Sequence, residues 1–199
     1  MHCPEALETA MTLRLDTEKA IQAVGVLLRC DGKRASRLRL LKLLYIADRI
    51  SLEKTGSPML GSKVVAMRHG PVHSAVFDLI KGVHIDEPVW SRYFRNVGRD
   101  VVLEEEPEVG KLSRYEIELL NQVVDQRINL DDWDVVEETH GFEEWQKSYP
   151  DPSENTSRPI PLEFLIAAVG RGADQSEIVQ DMNDSEAFQF FDQGLIAME

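Results

Sequence analysis

In the stretch MRHGPVHSAVFD, His69, His73, Ser74 and Asp78 crowd around a Gly70-Pro71 joint. Imidazole, hydroxyl and carboxylate are the groups of general acid–base and nucleophilic catalysis, and imidazole with carboxylate also binds zinc. Two more residues of this kind stand elsewhere, Asp48 in KLLYIADR and His140 in EETHGFEEW. A metal- or histidine-dependent hydrolase built from this chain would draw on His69, His140, Asp48 and Asp78.

Geometry argues against that chemistry. Lys63 to Arg68 is β-like, Gly70 permits backbone angles other residues resist, and Pro71 suits a first helical turn. The spacing therefore predicts a helix from Pro71 to about Lys81, with Val72, Val76, Leu79 and Ile80 as its apolar stripe. On such a helix His73 lies at the edge of the stripe, while Ser74 and Asp78 share the polar side, about 140° from His73. Zinc ligands must converge on one point and a triad must touch, and these residues do neither. His140 ends a helix, where the dipole favours histidine without any catalytic role. The expectation is no catalytic residue, no metal ligand and no cofactor.

The elements that position these groups are mostly helical. Asp16 or Thr17 caps a helix running to about Cys30, with Gly32 beyond it. A long apolar helix follows, RLRLLKLLYIADRISLEKTG, closed by Gly56 and Pro58. Its leucines cover well over half the wheel, leaving Arg39, Lys42, Arg49 and Glu53 on the remaining side. Asp48 falls inside the apolar arc, between Leu41 and Leu44, so its carboxylate must be paired. The expected partner is His69 or its neighbouring backbone. Phe94 to Val97 and Val101 to Leu103 flank Gly98-Arg99 as a β-hairpin. Ser113 and Glu116 form a capping box opening a helix that carries Ile117, Leu120, Val124 and Ile128 on one face. A short capped helix ends at Gly141, a turn carries Trp145, and a last core helix spans Leu162 to Val169. The fold class is thus mainly α with a minor β part, a compact helical domain around a central apolar helix.

The 199 residues include 35 acidic and 22 basic ones, a formal net charge of −13. Such a chain repels nucleic-acid phosphates, so direct nucleic-acid binding is disfavoured and a basic protein partner suits it better. The basic residues Lys33, Arg34, Arg37, Arg39 and Lys42 read as a solvated helix face. Cys3 and Cys30 give neither a disulfide framework nor zinc spacing. No run reaches the roughly 18 apolar residues of a membrane span, and the first residues lack a secretory pattern, so a cytoplasmic protein is expected.

KLLYIADR, GSPMLGSKVVAMRHGPV with Asp78 shortly after, Trp90 and EETHGFEEW, in that order, resemble the Panacea or SocA-like antitoxin family, which includes phage-associated proteins. The resemblance extends over about Thr17 to Gly170, leaving residues 1–16 as an N-terminal extension and 171–199 as an acidic C-terminal one. It implies an antitoxin that silences a cognate toxin by direct binding; an adaptor presenting a partner to a protease is the alternative. Asp48, His69, Gly70, Pro71, Asp78, His140 and Trp145 fall on the family's motifs. In the acidic extension, Ile178, Met182, Phe188, Phe190 and Phe191 either pack on the domain or form a partner-binding segment.

Overall fold

The computed structural model describes residues 15–149 and 156–184. Phe188, Phe190 and Phe191 lie outside them. Helix α1 (Thr17–Cys30) starts where the Asp16 carboxylate accepts the Lys19 N–H at 3.0 Å. Helix α2 (Arg37–Thr55) starts at Ser36, whose hydroxyl accepts the Arg39 N–H, and stops at Gly56 in the left-handed conformation. Both helices were expected from their apolar period, and the Asp16 cap of α1 was expected too. α2 is the hub, touching α1 and the segments Arg34–Ser36, Gly70–His73, Ser74–Lys81, Arg114–Asp125, Asp132–His140 and, near the end of the described chain, Leu162–Ala168.

Two three-stranded antiparallel sheets flank it. In the first, β1 (Arg34–Ser36) pairs with β5 (Asp100–Leu103), which pairs with β4 (Phe94–Val97). The expected Gly98-Arg99 hairpin is therefore real and gains a third strand. In the second, β2 (Val64–Met67) lies between β3 (Gly70–His73) and β6 (Arg158–Pro159).

This second sheet corrects the reading of the Gly70-Pro71 joint. Gly70-Pro71-Val72-His73 is a strand, and helix α3 begins only at Ser74, running to Lys81. Gly70 takes φ +92 and closes a two-residue turn over Arg68 and His69. Pro71 stands opposite Ala66. In an antiparallel ladder that site, next to the closing Met67–Gly70 pair, makes no ladder bonds, so the missing proline N–H costs nothing.

Helix α4 (Glu87–Trp90) leads to the first sheet, and α5 (Arg114–Asp125) carries the expected capping box. α5 ends before Ile128, which is exposed and not on its buried face. α6 (Asp132–His140) is capped by Asp131. The turn expected around Trp145 is instead a helix, α7 (Glu143–Ser148), and α8 (Leu162–Ala168) follows.

The core has two parts, one on each side of α2. The larger joins α1, α2, α3, α5 and the first sheet. The smaller gathers Tyr45, Leu52, Trp145, Ile166, Ile178 and Met182. Ile178 and Met182, read as candidate partner-binding residues, are thus 4% and 9% exposed. They belong to a helical stretch, residues 175–184, that packs on the domain. No helix among the described residues is long and apolar enough to cross a membrane.

Candidate functional site: a polar column along the central helix

Arg39, Lys42, Tyr45 and Asp48 recur every three residues along α2, and Arg49 adjoins the last. The sequence placed Arg39 and Lys42 on a solvated face; both are buried, at 6% and 1% exposure. At about 100° per residue this stripe winds halfway round α2, and the elements packed about the helix bury most of it, so each polar group finds an internal partner. Arg39 ion-pairs with Asp31 and donates to the Arg127 and Leu130 carbonyls, each at 2.9 Å. Lys42 Nζ donates to the Pro71 carbonyl at 2.8 Å. Tyr45 and Arg49 both donate to Glu144 of α7, at 2.7 and 2.8 Å.

Asp48 ends the column. Its carboxylate accepts the Leu60 N–H at 2.6 Å, and its other oxygen lies 3.6 Å from His73 Nε2. The Nδ1 side of the same ring is 2.8 Å from Ser62 Oγ. The expected burial of Asp48 is correct, but its partner is His73, not His69. His69 sits exposed on the β2–β3 turn, edge-on to Trp133 at 5.3 Å between ring centroids. The assumed helix at Pro71 concealed this contact. Read as a hairpin, the same residues put His73 opposite Val64 and hence beside Ser62.

Ser62, His73 and Asp48 have the composition of a hydrolytic triad, and Ser62 was not singled out in the sequence. None of the three is more than 4% exposed. A substrate carbonyl has no path to Ser62 Oγ while the β2–β3 hairpin is docked. Burial raises the Asp48 pKa, with His73 and the Leu60 N–H opposing the shift, and lowers that of His73 against the pull of Asp48. Lys42 falls from 10.5 to about 7 through desolvation.

The remaining motif residues do not join this cluster. Asp78 is half exposed and faces Lys81 at 3.3 Å. His140 stacks on Trp145 at 4.2 Å, and the Trp145 indole N–H donates to the Met67 carbonyl. Gly70 lies against Lys42 and Thr139, and a Cβ there would collide with Thr139 Oγ1. Among the described residues no three His, Cys, Asp or Glu converge as a metal site.

The molecule is therefore a mainly helical domain with two small sheets. Its residues 40–146 match the model of the family described as antitoxin SocA-like, Panacea domain, and the chain belongs to that family. The matched span is shorter than the resemblance anticipated: it runs from α2 into α7 and holds the column except Arg39. No curated protein and no solved structure matches the chain.

Proposed function

We propose that this protein is the antitoxin of a toxin–antitoxin pair, working in the cytoplasm, and that it neutralises its toxin by stoichiometric binding without turnover. Membership in the SocA-like antitoxin family over residues 40–146 carries this reading. Its support in the geometry is that the one group with the composition of a triad is committed to the interior: Asp48 and Ser62 to His73, beside Lys42 held by Pro71. The net charge of −13 favours a basic partner.

The test is co-expression with the product of the neighbouring gene. Growth arrest by that product alone, relieved by this protein and accompanied by co-purification, is the expected result. A neighbour that is harmless alone and forms no complex overturns the reading.

A further inference from the structure

Ile128, Leu130 and Trp133 are 52%, 38% and 55% exposed. Single apolar residues on a surface are ordinary, but three this large in one short segment mark a contact site. The segment is held rigidly from beneath. The Arg39 guanidinium takes the Arg127 and Leu130 carbonyls, and the Asp131 carboxylate takes the Trp133 and Asp134 N–H groups at 2.8 and 2.9 Å. A surface already ordered loses little entropy when a partner binds. Holding apolar side chains out in water on a pinned backbone gives the isolated domain no gain.

Charge selects the occupant. Asp125, Asp131, Asp134 and Glu137, within the segment or close to it along the chain, are exposed. Arg127, the cation within this segment, is taken by Glu138 through Nε at 2.7 Å. An indole face beside carboxylates attracts arginine or lysine by cation–π contact and ion pairing together. Nucleic acid is repelled by the same acids.

We infer that the 128–137 surface docks a basic segment of a protein partner, seating an arginine or lysine on the Trp133 indole and pairing it with the Asp131 and Asp134 carboxylates. This rests on the antitoxin reading and names the part of the antitoxin that holds the toxin.

Trp90 and Trp145 are buried, so acrylamide quenching reports on Trp133. A short peptide of alternating Arg and Ser should shield Trp133 at low salt and release it at high salt, while a Glu-Ser peptide does nothing. In the complex with the co-expressed toxin, Trp133 should be shielded. Trp133→Ala should weaken toxin binding about tenfold or more, as buried aromatic anchors do. The pair Asp131→Asn and Asp134→Asn should weaken it too; asparagine keeps the helix cap, so the fold is retained. Unchanged quenching with the Arg-Ser peptide, equal shielding by the Glu-Ser peptide, or shielding that follows protein concentration alone (a second copy as occupant) overturns the assignment. If wild-type protein binds and neutralises the toxin but these variants do so equally well, the surface is wrong and the antitoxin reading stands. If wild-type protein neither binds nor rescues, the antitoxin reading falls and the peptide titration alone decides the surface.

Discussion

Lys42 carries its ammonium into a site that is 1% exposed and offers it one carbonyl, that of Pro71, at 2.8 Å. Desolvation lowers its pKa to about 7 from the 10.5 it has in the unfolded chain. Between those values the unfolded state binds more protons than the folded one, so stability rises with pH through that window. The slope reaches about 1.4 kcal/mol per pH unit at its steepest. Below the folded pKa both states are charged and the cost is constant. Lys42→Met has similar length and no charge, so its stability should lack this rise. Urea unfolding of both proteins from about pH 7 to about pH 9.5 checks it, a range below the titration of Tyr45, whose pKa burial and Glu144 push upward. Equal slopes would mean that Lys42 does not titrate there. At this scale the sequence disclosed Asp48, because one carboxylate inside a leucine arc has no other explanation than a buried partner. It did not disclose Lys42 or Arg39, because a cation at the margin of an apolar arc looks the same whether water or another element covers it.

The column attaches other elements to α2, with Asp48 holding the Leu60 loop and His73. Arg39 holds the α5–α6 connection, Lys42 the β2–β3 hairpin, and Tyr45 with Arg49 the helix α7. Arg39 has the heaviest duty, since its planar fork reaches Asp31 and two carbonyls at once. Arg39→Ala leaves a mostly buried Asp31 and two carbonyls without their donor, and should cost about 3 kcal/mol or more. Arg39→Lys should recover only part of that, because one ammonium cannot span three acceptors. Thermal and urea denaturation of the two variants measures both, and full recovery by lysine would show that charge alone matters. Elements were legible where the chain marks its own ends: Asp16 and Ser113 cap helices as their types and positions predict, whereas the Ser36 cap of α2 emerges only in the structure. The second sheet was not. Gly-Pro fits both a helix start and a tight hairpin, and the choice is made by β2, which supplies the backbone partners of β3, and by Lys42, which takes up the outward carbonyl of Pro71.

For the whole molecule, the open question in the sequence was whether the acidic extension packs on the domain or waits for a partner. Arg171 donates to the Glu53 and Lys54 carbonyls at the end of α2, at 2.7 and 3.0 Å. Those are the carbonyls a helix leaves unsatisfied at its C-terminus. Further along, Ile178 and Met182 complete the smaller core beside Tyr45 and Trp145. Full burial of an Ile or Met side chain is worth roughly 1.5–3 kcal/mol. A chain ending at Gly170 should therefore lose about 3 kcal/mol or more of unfolding free energy, seen as a lower urea midpoint. Ile178→Ala separates the two roles. Packing predicts a loss of about 2–4 kcal/mol with toxin affinity unchanged under conditions where the variant is folded. A partner-binding segment predicts the reverse, normal stability and weakened binding, and that outcome would return the toxin contact to the tail and away from the Trp133 surface.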